Sequence, residues 1–207
     1  MKILVACEES GTVREAFRKL GHDAWPCDLQ ESRDNSPYHY QQDVFEVIEK
    51  GWDLMIAHPP CTYLCVSGAR WLYNKDGSKN EKRWENMYKG LDFVTSLMNA
   101  PIEKIAIENP ISVISSYIRK PDQIIRPYEY GDNASKSTCL WLKNSPKLVP
   151  TNIIVPTKHI TKSGKQYDSW WFESSLISDK KERAKFRSKT FQGIADAMAM
   201  QWGGNAA

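Results

Sequence analysis

The chain has 207 residues, 41% of them hydrophobic and 26% charged, and a net charge of +3. That length predicts one domain with room for a small appendage, and so low a net charge excludes a polycation: a nucleic-acid partner has to be held by local basic patches. No apolar run approaches the roughly 20 residues that span a bilayer. The five cysteines are odd in number and scattered, which fits a reducing cytoplasm and not a disulfide framework.

Residues 2–6 are a short apolar run that meets Glu8-Glu9 at once, which predicts a first strand and not a signal peptide. Val13, Ala16, Phe17 and Leu20 recur at helical spacing, and Gly21 ends the segment. Residues 22–28 predict a second strand closing on Asp28. In nucleotide-binding α/β folds an acid at that spacing meets a ribose hydroxyl; a solvated Asp in a plain βαβ unit is the alternative. Asp43 opens a helix carrying Val44, Phe45, Val47 and Ile48, either as an N-cap or as a residue reaching the same pocket.

The hydrophobic run 52–57 leads straight into His58-Pro59-Pro60-Cys61, with Cys65 and Ser67-Gly68 behind it. The prolines turn the chain sharply, so a strand end presents the cysteine. In open α/β sheets that is where ligands bind. Residues 69–84 interleave basic and aromatic side chains and predict a mobile loop passing into a helix. That mixture suits a nucleic-acid backbone and its bases; a solvated loop with tryptophans packed on the core is the plainer alternative. Leu91, Phe93, Val94, Leu97 and Met98 mark an amphipathic helix that stops before Pro101. Residues 102–107 predict a strand delivering Glu108-Asn109-Pro110, followed by a short helix over 111–118. Strands over 124–130 and 138–142 flank a polar loop. The periodicity of 144–187 is poor and predicts a small irregular insert; 190–202 reads as a closing helix.

Two strand ends thus offer a thiol and a carboxyl. An ionised cysteine is a capable nucleophile, and a pocketed carboxyl can donate a proton to a heteroatom. Together they suit covalent attack on an electron-poor ring. A zinc site needs a second ligand pair, and none is evident beside His58, Cys61 and Cys65. A zinc deaminase needs His-x-Glu and Pro-Cys-x-x-Cys, and neither occurs here. Cys7, Cys27, Cys65 and Cys139 read as small apolar residues of the interior.

Taken in order, these motifs resemble the C5-cytosine DNA methyltransferase family, in a small, phage-like or mobile-element-like form. The stretch 6–11, Ala-Cys-Glu-Glu-Ser-Gly, stands where that family has its first motif. Pro59-Pro60-Cys61 with Ser67-Gly68 looks like the nucleophile motif and catalytic loop, and Glu108-Asn109-Pro110 looks like the Glu-Asn motif. Residues 187–190 with 201–205, ending on Asn205, are similar to the closing motifs. The resemblance covers most of the chain outside 144–187.

It implies a Rossmann-like α/β methyltransferase fold: a mostly parallel twisted sheet with helices on both faces and a small irregular insert. It implies a core over 1–143, an insert over 144–187 as a reduced target-recognition region, and a returning C-terminal segment over 188–207. The implied activity is transfer of a methyl group from S-adenosyl-L-methionine to C5 of cytosine, with Cys61 attacking C6 and Glu108 binding N3 and the exocyclic amine. Cys7, Glu9, Gly11, Asp28, Asp43, Pro59 and Asn205 are the implied cofactor contacts. A target base must be flipped out or already single-stranded, and Ser67, Arg70, Lys79, Lys82, Arg83 and Lys136 are the expected nucleic-acid contacts. The expected partner is DNA, with RNA or a free nucleotide as the alternative substrate, and a homologue that binds without turnover as the alternative function. A cytoplasmic monomer is expected, with no metal and no membrane.

Overall fold

A computed structural model of the chain describes residues 1–204. The elements are β1 (Lys2–Ala6), α1 (Thr12–Lys19), β2 (Asp23–Asp28), β3 (Tyr40–Gln41), β4 (Leu54–Ala57), α2 (Glu81–Met98), β5 (Lys104–Pro110), α3 (Ile114–Tyr117), β6 (Gln123–Ile125) and β7 (Thr138–Lys143). They are followed by β8 (Lys158–Ile160), β9 (Gln166–Asp168), α4 (Ser169–Leu176), α5 (Lys180–Ser188) and α6 (Gln192–Met198), which runs on into a π turn.

Seven strands form one sheet in the order β3-β2-β1-β4-β5-β7-β6. The pairs from β3 to β5 are parallel, and β7 is antiparallel to both β5 and β6. The central strands carry unbroken apolar runs, Ile3 to Ala6, Leu54 to Ala57 and Ile105 to Ile107, because both faces are covered. Ile3 and Val5 join a core with Phe17 of α1 and Ile194 and Met198 of α6, while Leu4 and Ala6 join a second core with Met87, Leu91 and Val94 of α2. Each of these large buried side chains contributes about 1.5–3 kcal/mol of transfer free energy, which is how a five-residue strand serves as the pivot of the sheet. This mostly parallel sheet, helix-covered on both faces, is the Rossmann-like α/β architecture expected from the motif order.

Several elements depart from the periodicity. The helix expected after Asp43 is a single 3-10 turn, Val44–Glu46. Helix α2 starts ten residues before its clearest apolar repeat, because Asn80 caps it: Arg83 N donates to Asn80 Oδ1 at 3.1 Å. The expected mobile loop holds a 3-10 helix, Val66–Leu72, pinned where Trp84 Nε1 and Asn80 N donate to Leu72 O at 3.0 and 2.9 Å. The strand expected over 124–130 stops at Ile125, since Pro127 has no N–H for a ladder and opens a 3-10 turn.

The insert is more ordered than its periodicity suggests. It holds the β8–β9 hairpin and two helices. The His159 and Phe172 rings stack at 3.5 Å, and Trp170 packs on Phe186 and Phe191. Its helices bury almost nothing, Ser174 alone in α4 and no residue in α5, so they leave no apolar stripe to read. Among the described residues no helix is long and apolar enough to cross a membrane.

Candidate active site

The strand order reverses between β1 and β4, and the loops leaving their carboxyl ends stand side by side there. Such reversals open the crevices in which α/β sheets take ligands. His58 N makes the last ladder bond, to Ala6 O at 2.9 Å, before the two prolines end the strand. The chain then closes a tight turn, with Leu64 N and Cys65 N both donating to Cys61 O, at 3.0 and 2.9 Å.

The end of β5 is stitched to this turn. Asn109 Nδ2 donates to Pro59 O at 2.9 Å, Val113 N to Leu64 O at 2.9 Å and Val66 N to Ile111 O at 3.2 Å. The proline–cysteine turn and the Glu-Asn-Pro strand end are therefore one hydrogen-bonded unit, and Cys61 and Glu108 lie within electrostatic reach of each other.

Glu108 is held by a residue to which sequence pattern assigns no role: His58 Nδ1 lies 3.0 Å from Glu108 Oε2. Both side chains are largely buried, at 12% and 18% exposure. Burial works to raise the Glu108 carboxyl, yet the His58 hydrogen bond and charge, with Lys136 and Thr138, bring it below the usual carboxylate range. Burial works to lower the His58 imidazole, and Glu108 overrides it, so His58 titrates above its ordinary value. Cys61 is half-buried; burial raises its thiol, Cys65 and Glu108 raise it further, and Lys136 opposes them. These directions favour a protonated Cys61 thiol beside an ionised Glu108 carboxylate.

A cavity of about 560 Å³ opens next to this unit, against the ends of β1, β2 and β4 and the side of α2. Cys7, Asp28 and Asp43 line it, as three of the expected cofactor contacts. Leu29, Val44 and Phe93 give it apolar walls. Cys7 stands at φ 60°, a left-handed conformation unusual for a side-chain-bearing residue, and lets the backbone curve around the cavity mouth. Burial raises the Asp28 carboxyl, with nearby Glu9 adding to the effect. Asp43 lines the cavity and also serves as an N-cap, its Oδ1 accepting from Phe45 N at 2.9 Å.

Other expected contacts lie elsewhere. Glu9 pairs with Arg33. Gly11 is buried at φ 72° at the N-cap of α1, above the Arg14 guanidinium, where a Cβ has no room. Pro59 is buried behind the turn, and Pro60 lines the cavity in its place. Asn205 lies outside the described residues. Glu8, to which the motif pattern gives no part, is buried and accepts from Val13 N and Arg14 N at 2.8 and 3.4 Å, so it caps α1. An acid just before a helix start was the available signal.

Of the expected nucleic-acid contacts, Ser67, Arg70, Lys79 and Lys82 are exposed. Arg70 lies over the Trp71 ring and Lys79 over Trp84. Arg83 faces inward: it donates to Thr62 O at 2.8 Å, covers the Tyr63 ring and fills the space above Gly68, so it clamps the cysteine turn. Lys136 donates to Arg187 O at 3.2 Å and bridges the insert to the Glu108 side of the site. Cys27 and Cys139 are buried, but Cys65 and Cys7 are only partly so. Cys65 Sγ lies 3.2 Å from Ser67 Oγ and Cys7 borders the cavity, which corrects the reading of both as interior apolar residues. Among the described residues no group of three or more His, Cys, Asp or Glu could hold a metal ion.

No protein-family model matches the chain, and no curated protein matches it. Solved structures do. A protein encoded within an E. coli prophage and assigned as a DNA modification methyltransferase is similar over 74% of this chain and 52% of its own, with 15% identity and a TM-score of 0.44. The DNMT2 of Spodoptera frugiperda, solved as a triple mutant, is similar over 76% of this chain and 57% of its own, with 16% identity and a TM-score of 0.44. The chain spans about half the length of each of these proteins.

Proposed function

We propose that this chain transfers a methyl group from S-adenosylmethionine to C5 of cytosine in DNA through a covalent Cys61 adduct. The observation that carries this reading is the joining of two strand ends. Asn109 ties the Glu108 strand to Pro59 at 2.9 Å, which holds a thiol and a carboxylate in one environment at the switch point of the sheet. A lone thiol has many uses. A thiol fixed beside a buried carboxyl that can address a ring nitrogen suits nucleophilic addition to a pyrimidine.

The cavity fits the proposed methyl donor. In this reading Asp28 and Asp43, which line the cavity, accept from ribose hydroxyls, and Leu29, Val44 and Phe93 give apolar faces for a purine. When bound, S-adenosylmethionine supplies an electrophilic methyl group. This chain's part is to orient the cytosine, with Glu108 at N3 and the exocyclic amine, and to activate C5 through the bond from Cys61 to C6. The target base has to leave its stack to reach Cys61, at a cost of a few kcal/mol that backbone contacts must offset. Lys79, Lys82, Lys136 and the insert are the proposed sources of those contacts, and DNA is the proposed partner.

Cys61→Ala tests the reading. Transfer of labelled methyl groups to DNA is expected in the wild type and to fall by at least about a thousandfold in the variant. Transfer that survives the change removes Cys61 from the nucleophile's role. One observation favours a second reading, binding without turnover: burial holds the Cys61 thiol above its ordinary value. That reading predicts cofactor binding with no covalent adduct to DNA containing 5-fluorocytosine.

A further inference from the structure

We propose that His58 and Glu108 act as one proton-holding unit, in which His58 stores the proton that Glu108 delivers to cytosine N3 as Cys61 attacks C6. This deepens the cytosine methyltransferase reading and rests on it.

Cytosine N3 is a hydrogen-bond acceptor, and so is an ionised carboxylate. Glu108 alone, ionised, would set two acceptors face to face in a largely buried site. The 3.0 Å contact from His58 Nδ1 to Glu108 Oε2 places a proton on the far side of the same carboxyl. His58 is anchored for this task, with its backbone N bound to Ala6 O and the two prolines following it. Its Nε2 is buried and has no partner among the described residues, so Glu108 alone engages the ring.

The groups facing the pair are few. Glu8 in the β1–α1 loop favours the imidazolium, and Lys136 before β7 opposes it. Lys136 and Thr138 stabilise the Glu108 carboxylate, and the Cys61 and Cys139 thiols both feel its charge. The raised imidazole and the depressed carboxyl agree with a proton resting on His58 at neutral pH.

The step balances. Cys61 first loses its proton to solvent. As the S–C6 bond forms, the C5–C6 π pair moves through the ring to N3. The Nδ1 proton of His58 passes to the Glu108 carboxylate as that carboxyl passes a proton to N3, one proton relayed in all, leaving a neutral imidazole and a carboxylate. When the S–C6 bond breaks, the N3 proton returns by the same route.

Addition to C6 also lets C5 exchange its hydrogen with water, so the step can be followed without the methyl donor. The measurement is tritium release from DNA carrying cytosine labelled at C5, over about pH 5.5–9, for wild type, His58→Asn and His58→Gln. Asparagine keeps a donor to Glu108 but stores no proton, and glutamine guards against a local failure of the asparagine variant. In both variants the high-pH limb should move to lower pH, with exchange at about pH 8 falling at least tenfold and exchange at about pH 6 staying within about threefold. Profiles that run parallel to wild type at every pH overturn the proposal and leave His58 a packing residue.

Imidazole NMR of the free protein, which has four histidines, reads the pair separately. His58 should titrate above its ordinary value in wild type and drop in Glu108→Gln. A normal or lowered wild-type titration overturns the proton-holding unit whatever the exchange data show. Absence of exchange by the wild type on both single-stranded and duplex DNA, with His58 still titrating high, overturns the cytosine reading and with it the N3 step.

Discussion

Arg14 is the largest charged side chain in the core, with 1% of its side chain exposed. It lies beneath Gly11 and pairs with Glu15 at 2.8 Å and with Asp34 in the loop after β2. A buried guanidinium is tolerable only when paired. The pair ties the first loop to the segment that follows β2, and so helps keep the cavity in shape. Asp34 itself is partly exposed, which limits its worth through solvent screening. Asp34→Asn should destabilise the fold by about 1–2 kcal/mol near neutral pH. Burial works to raise the Asp34 carboxyl, but the hydrogen bonds from Arg14, Ser32 and Ser36 N and the Arg14 charge together outweigh it and hold the group at about 2, against an ordinary 3.8. A depressed acid stabilises above its unfolded value and loses that contribution as pH falls through its folded one. Urea melts of wild type and variant should therefore differ by a constant amount above about pH 4 and converge toward pH 2. A gap that persists at pH 2 would mean that charge is not the cause.

At the scale of elements, α6 closes over the sheet through one close approach. Gly193 N donates to Asp132 Oδ2 at 2.8 Å, and a Cβ on Gly193 would overlap the Tyr130 carbonyl. Gly193→Ala is expected to push the helix off that loop and cost about 1–3 kcal/mol, read as a lower urea midpoint with an unchanged slope. In sequence this glycine resembles a mere weakness in a helical pattern. The same lesson holds for Arg83. Its spacing beside lysines and tryptophans reads as a nucleic-acid contact, but its guanidinium reaches Thr62 O and carries the cysteine turn. Direction decides between those roles, and only the packed backbone sets direction.

For the molecule as a whole, a net charge of +3 is too small to steer a nucleic acid by itself, so the proposed DNA binding would rest on local clusters. Exposed Lys79 and Lys82 open one end of α2, and α5 carries Lys180, Lys181, Arg183, Lys185 and Arg187 with no buried residue. Replacing Lys79 and Lys82 by Gln, with Arg83 left in place, should flatten the salt dependence of DNA binding. The log–log slope is expected to drop by about 0.9 for each phosphate no longer neutralised on a duplex, and about 0.7 on a single strand. An unchanged slope would shift the binding surface to the insert.

The sequence by itself was enough for the alternating plan of the sheet, because two-sided burial forces apolar runs such as 2–6 and 102–107, and prolines and glycines mark where those runs end. It also put a thiol and a carboxyl at two strand ends, since Glu108 follows such a run directly and Cys61 follows one after His58 and two prolines. What it could not carry was anything that depends on sequence-distant neighbours. His58 and Glu108 are fifty positions apart, and the contact between them exists only because β4 and β5 are adjacent and parallel. The inward turn of Arg83 onto Thr62 O and the folding of the insert arise in the same way. Local pattern records which face of an element is apolar; the partner across the crevice is settled only when the strands take their order in the sheet.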